Sequence, residues 1–170
     1  AVIALGVDPS LTSSGFCVGD ELTAFATKTK GVVRLVEIRD FFISLCVSHR
    51  VDFVVIEGYA FAARNSHAHS LGELGGVLRV AAYEAKLPVV DVPPTVRAKF
   101  ATGKGNAGKS EVVSTVSART GMTFSGKGAD DMCDAWLLRE MANTHMGLSE
   151  YEWPKANMDA LSKVDWSVLS

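Results

Sequence analysis

Two short apolar runs, each broken off by a carboxylate, limit what this chain can fold into more than any other feature. Val2-Ile3-Ala4-Leu5-Gly6-Val7 stops at Asp8, and Phe53-Val54-Val55-Ile56 stops at Glu57. Consecutive rather than alternating apolar positions are what a strand needs when both its faces are covered, so the pattern asks for a sheet with helices on each side. An acid at the end of such a strand is costly to bury unless something pairs with it. A third acidic island, Asp130-Asp131-Met132-Cys133-Asp134-Ala135, spaces Asp131 and Asp134 so that a helix shows both on one face, with Asp130 off it. Singly, each acid has a local use: Asp8 as a turn residue before Pro9, Glu57 as a solvated strand end, Asp130 and Asp131 at a helix N-terminus. Gathered in one place they form a ligand set for a divalent ion, and acids around Mg²⁺ are an apparatus for cutting phosphodiesters.

The order of elements bears on whether they gather. Val2–Val7 reads as a central strand. The turn-rich stretch 8–15 leads into a second strand from Phe16, and Gly19-Asp20 turns into a third over Leu22–Thr27. Such close spacing makes these three an antiparallel meander. Val33–His49 carries the periodicity of an amphipathic helix, Val51–Ile56 that of a buried strand, and Ser66–Lys86 that of a second helix containing Gly72, Gly75 and Gly76. Leu87–Val92 is a fifth strand, stopped by Pro93-Pro94. A short helix, the glycine-rich loop 102–108, and helices over Lys109–Thr120 and Asp130–Asn143 follow. The order β-β-β-α-β-α-β-α-α implies an α/β fold: a mixed five-stranded sheet with helices on both faces, the ribonuclease-H-like arrangement. There the first and fourth strands are neighbours, so Asp8 and Glu57 end side by side.

With 170 residues the chain has the size of one domain with a real core. Its apolar runs are too short to span a bilayer, and no secretory signal is recognisable. Cys17, Cys46 and Cys133 are odd in number and apolar in context, as expected of reduced thiols in a cytoplasmic protein. The formal charge of −2 conceals a polarity. Thr95–Lys127 holds six basic residues, Arg97, Lys99, Lys104, Lys109, Arg119 and Lys127, against Glu111 alone, whereas the stretch from Ala129 onward is acidic. A basic stretch beside a metal-filled acidic pocket suits a phosphate backbone, although a solvated basic loop and helix would give the same count.

Four blocks, in this order, resemble the RuvC-type Holliday-junction resolvases: Gly6-Val7-Asp8-Pro9-Ser10 with Thr12 and Gly15, Val55-Ile56-Glu57, Gly103-Lys104-Gly105-Asn106-Ala107-Gly108-Lys109-Ser110, and Asp131-Met132-Cys133-Asp134-Ala135. The resemblance runs over roughly Val2–His145. It implies that Asp8, Glu57, Asp131 and Asp134 are the metal-binding catalytic carboxylates and that Lys109 is the basic residue beside them. It also implies a homodimer that nicks opposing strands of a four-way DNA junction symmetrically, with two Mg²⁺ ions per site and Mn²⁺ able to substitute. The nuclease domain is then residues 1–145, with 146–170 an extension packed on or trailing it, and a viral relative fits as well as a cellular one.

The chain departs from the family in two places. The expected stacking aromatic after the strand-end glutamate falls at Ala60, so Tyr59 or Phe61 takes that part, and an expected lysine falls at Ala98, between Arg97 and Lys99. With Lys104 and Lys109 these make the expected nucleic-acid contacts. The Ser66–Lys86 helix, through its glycines and Leu71, Leu74 and Leu78, is expected at the two-fold interface, with packing inside one chain as the other use of the same residues. His67 and His69 have metal-ligand spacing but sit at a helix start, where exposure is the simpler reading. Three other functions share part of the pattern. A nuclease for RNA or RNA–DNA hybrids needs the same carboxylates, and a non-catalytic nucleic-acid-binding module needs none of them. A sugar-kinase phosphate loop, like Gly6-Val7-Asp8, needs a second domain.

Overall fold

The computed structural model describes residues 1–58 and 66–170, without the side chains of Ser66 and His67. Tyr59, Ala60 and Phe61 lie outside the described residues. Five strands form one sheet: β1 (Ala4–Asp8), β2 (Ser14–Val18), β3 (Glu21–Phe25), β4 (Phe53–Glu57) and β5 (Val89–Val92). Their order is β3-β2-β1-β4-β5, with β1–β2 and β2–β3 antiparallel and β1–β4 and β4–β5 parallel. The mixed sheet expected from the element order is therefore present, with β1 at its centre.

Side-chain alternation splits the core in two. Leu5, Val7, Phe16, Val18, Val54 and Ile56 face one layer, built from α1 (Gly31–Ser48) and α2 (Ser66–Glu84). In α1 the buried Ile38, Phe42, Leu45 and Cys46 recur at helical spacing, and in α2 Leu74, Leu78, Ala81 and Ala82 do the same. Ala4, Cys17, Phe53, Val55, Val90 and Val92 face the opposite layer, made of α3 (Pro94–Thr102), α4 (Lys109–Thr120) and α5 (Ala129–His145). The same parity turns Asp8 and Glu57 toward that second layer.

Two glycines let α5 lie directly on the sheet. A Cβ at Gly6 would stand 2.1 Å from the Ala135 carbonyl oxygen, and one at Gly15 would stand 2.0 Å from that of Asp131. Gly15 pairs with Asp8 across β1 and β2, so the contact that seats α5 is on the same rung as the strand-end acid.

The segment beyond α5 folds back onto α3 and α5. Trp153 is buried against Phe100, with ring centroids 4.5 Å apart, and its indole N–H donates to Glu140. Nδ2 of the buried Asn157, in the short helix α6 (Lys155–Met158), donates to the Phe100 carbonyl at 2.7 Å.

The α2 expectation needs correction in part. Leu74 and Leu78 are fully buried against the sheet and present nothing to a partner. Leu71 and Gly75 line a cleft beside the acids. The outward face of α2 consists instead of Val80, Tyr83 and the open positions Gly72 and Gly76.

Candidate metal centre and cleft

The parallel register places Val7 opposite Ile56, so the next residues, Asp8 and Glu57, end neighbouring strands side by side. Asp134, on the face of α5 that meets the sheet, completes a triangle. One carboxylate oxygen from each of Asp8, Glu57 and Asp134 lies within 4.8 Å of the other two. Asp8 and Asp134 are buried and Glu57 nearly so.

Asp131 stands one turn earlier, where Ser13 Oγ donates to its Oδ2 at 2.8 Å. Ser13 is itself buried, and a Cβ on Gly128 would meet its hydroxyl at 2.7 Å, so this corner is tightly closed. Asp131 therefore borders the triangle without belonging to it. Asp130 is exposed and turned away, as its helical position required.

Burial, and then the repulsion between acids this close, shows in the protonation of Asp8 and Asp134. Burial first, then the charges of Glu57 and Asp134, hold the Asp8 carboxyl well above the usual range against the opposing pull of Arg97. Asp134 is pushed up to about 7 by burial, with Glu57 and Asp131 adding to it and Arg97 and a hydrogen bond from Asp8 opposing. Such a cluster favours any cation that can reach it. Its donors are all hard carboxylate oxygens, which fits Mg²⁺ or Mn²⁺ and not a soft ion.

Arg97, expected among the nucleic-acid contacts, is turned toward the acids. From α3 its Nη2 donates to Glu57 Oε1 at 3.1 Å and its Nη1 to Asp134 Oδ1. Burial works against the guanidinium charge, but Glu57, Asp134 and Asp8 together outweigh it and hold its pKa above the ordinary value. The sequence carried a sign of this placement: Arg97 falls one residue from the expected lysine, and on a helix one residue is a turn of 100°.

The acids floor a cleft of about 320 Å³, bordered by Ser10, Leu71, Arg79, Arg97 and Lys109. Lys109 opens α4 after Gly108 and is exposed at the cleft's edge. Lys104, on the glycine loop, is exposed and paired with Glu111 at 2.6 Å. Lys99 is half-buried on α3. His69 is exposed, and no histidine joins the acids among the described residues. Sequence reasoning missed Ser13 and Arg79. Nothing in a serine-rich turn singles out Ser13, and Arg79 comes to the cleft only because α2 crosses it.

Residues 4–138 match the family described as crossover junction endodeoxyribonuclease RuvC, a span that ends within α5. A RuvC of Nocardia farcinica is 31% identical over 161 residues, covering 81% of this chain and 85% of the relative. One of Sorangium cellulosum is 32% identical over 118 residues, 69% of this chain and 63% of the relative. Among solved structures, Thermus thermophilus RuvC in complex with a Holliday junction substrate superposes with a TM-score of 0.66 at 23% identity, over 89% of this chain and all of that one. The yeast mitochondrial Holliday junction resolvase gives 0.57 at 13% identity, over 94% and 80%. At these identities the structural matches bear on the fold.

Proposed function

This chain belongs to the RuvC family of crossover junction endodeoxyribonucleases, and on that footing we propose that it cuts four-way DNA junctions by metal-dependent phosphodiester hydrolysis. The observation that carries the reading is the convergence of Asp8, Glu57 and Asp134 within 4.8 Å on the floor of a cleft edged by Lys109. Mg²⁺ is the proposed ion, with Mn²⁺ as a substitute. Asp8, Glu57 and Asp134 would hold one ion, and Asp131, oriented by Ser13, would contribute to a second. The chemistry such ions would supply there is a water of lowered pKa and neutralisation of charge on the leaving 3′ oxygen.

The remaining steps belong to the protein. α5 and the ends of β1 and β4 fix the carboxylates before substrate arrives, so little reorganisation is left for the reaction. Lys109, at the cleft edge, draws in the scissile phosphate. Lys104 and Lys99 bear on the flanking backbone, and Tyr59 or Phe61 supplies a stacking surface for an unpaired base.

Symmetric resolution needs two such clefts, so the proposed working unit is a homodimer formed through the outward face of α2. The nuclease domain is assigned to 1–145 with 146–170 as its extension. A cytoplasmic location is consistent with three free, buried cysteines.

Cleavage of an immobile four-way junction, compared with duplex, RNA–DNA hybrid and single-stranded RNA, tests the assignment. Asp8→Asn, Glu57→Gln, Asp131→Asn and Asp134→Asn are expected to abolish cutting while retaining junction binding. Asp130→Asn is expected to keep most activity. Preferential cutting of hybrid or RNA would replace the junction reading with a ribonuclease one.

A further inference from the structure

We propose that Arg97 and the divalent ion compete for the same carboxylate oxygens, so that ion binding requires the guanidinium to leave the Glu57–Asp134 pair. The inference rests on the metal-dependent reading above and adds to it a residue that sets how tightly the ion is held.

Two of the three carboxylates that converge within 4.8 Å are the two that Arg97 bridges. The oxygens engaged, Glu57 Oε1 and Asp134 Oδ1, belong to groups whose side chains are only 14% and 10% exposed. Little room remains for a second cation on the same acids. A guanidinium that stayed would sit against a doubly charged ion in a poorly screened site, where like charges repel most strongly.

The way Arg97 is held also points to exchange. An arginine built into a permanent structural network normally has its donors satisfied. Here Nε is buried without a hydrogen-bond partner among the described residues, while both terminal nitrogens are taken up by the acids. The carboxylates' charge therefore holds the guanidinium in place, rather than a fitted cage. Neutralising those charges with an ion removes the main interaction that keeps it there. Arg97 also lines the open cleft, which gives the side chain somewhere to go.

The competition is reciprocal by linkage: whatever the bridge subtracts from ion affinity, the ion subtracts from the bridge. Mn²⁺ binding to the intact protein, followed by calorimetry without DNA, reads it directly. Arg97→Gln removes both charge and bridge. Arg97→Lys keeps the charge but lacks the rigid planar fork that gives each carboxylate its own nitrogen. Both variants are expected to bind Mn²⁺ tighter than wild type, Gln by about tenfold or more and Lys by a smaller but clear factor. Arg97→Lys still pairs the buried acids, so it carries the comparison even where Arg97→Gln folds poorly.

If Gln tightens binding while Lys matches wild type, Arg97 acts through the field of a fixed cation and the exchange is overturned. Unchanged or weaker binding in both variants overturns it as well. Asp8→Asn separates this inference from its premise. Its loss of Mn²⁺ binding locates the ion at these acids whatever Arg97 does, whereas wild-type binding in Asp8→Asn would sink the metal-site reading and this inference together.

Discussion

Replacing Gly15 by alanine should disable the site without touching a single acid. The new Cβ would lie 2.0 Å from the Asp131 carbonyl oxygen, 2.4 Å from its carbonyl carbon and 3.1 Å from the Met132 nitrogen. Real Cβ contacts essentially never fall below 3.0 Å, so the first turn of α5 has to retreat by about 1 Å. All three neighbours are backbone, so no side-chain rotation relieves the clash. A helix moves as a unit over one turn, and Asp134 shifts together with Asp131, away from Asp8 and Glu57. Misplacement of reacting groups by about 1 Å can cost about 10²-fold in rate. Overpacking of this kind costs about 1–3 kcal/mol, which for a domain of this size lowers the melting temperature by about 2–12 °C. The assay is single-turnover junction cleavage at saturating protein, with circular dichroism melting alongside. Junction affinity should change little, because Lys104 and Lys109 lie on the loop and helix beyond α3. Gly6→Ala, which would meet the Ala135 carbonyl oxygen at 2.1 Å and the Arg139 nitrogen at 2.9 Å, should behave alike. A Gly15→Ala protein that cuts within threefold of wild type and melts at the same temperature would refute the claim that β2 seats the catalytic helix.

Lys109→Ala should lose turnover at saturating DNA as well as affinity, because a contact at the scissile phosphate strengthens in the transition state; a wild-type saturated rate would confine Lys109 to backbone contact. Lys104→Ala should lose affinity only, and each substitution should reduce the salt slope of log K by about one unit. Without added metal, the raised Asp8 and Asp134 keep protons in the folded state that the unfolded chain releases near pH 4, so stability should fall as pH rises from about 4 through 7. Melting temperatures in chelator across that window check the sign, and Mg²⁺ should flatten the slope at its neutral end. On α2, where a Cβ at Gly72 or Gly76 meets nothing within 4 Å among the described residues, alanine should raise the stability of an isolated protomer by about 1 kcal/mol each. If that face instead meets a second copy, light scattering should show the alanine variants dissociating at concentrations where wild type is dimeric.

The elements were legible because each is governed by local rules. The apolar runs of β1 and β4, the helical spacing of Ile38, Phe42, Leu45 and Cys46 in α1, and the proline pair that ends β5 state their conformation within a few residues of themselves. The strand-end placement of Asp8 and Glu57 was equally local. Once the order of strands was read, their adjacency followed, since β1 and β4 are parallel neighbours and alternation carries both acids to the same face. The i, i+3 spacing of Asp131 and Asp134 put them on one side of a helix without further information.

What the tertiary structure alone decided is which groups meet across elements. Periodicity says that a residue faces inward but not what it will find there. Arg97 looked like one more cation in a basic stretch, and only the packing of α3 against the ends of β4 and α5 makes it the partner of Glu57 and Asp134. Ser13 and Asp131 are 118 residues apart and are joined because Gly15 and Gly6 let α5 lie against the backbone of the sheet. The same helical spacing in α2 served the interior at Leu74 and Leu78 and left Val80 and Tyr83 outside, a division set by where the sheet lies. Secondary structure follows from interactions over a few residues, which a sequence spells out in order. The charge pairing of a site depends on distances between segments far apart in the chain, and those distances exist only once the chain has folded.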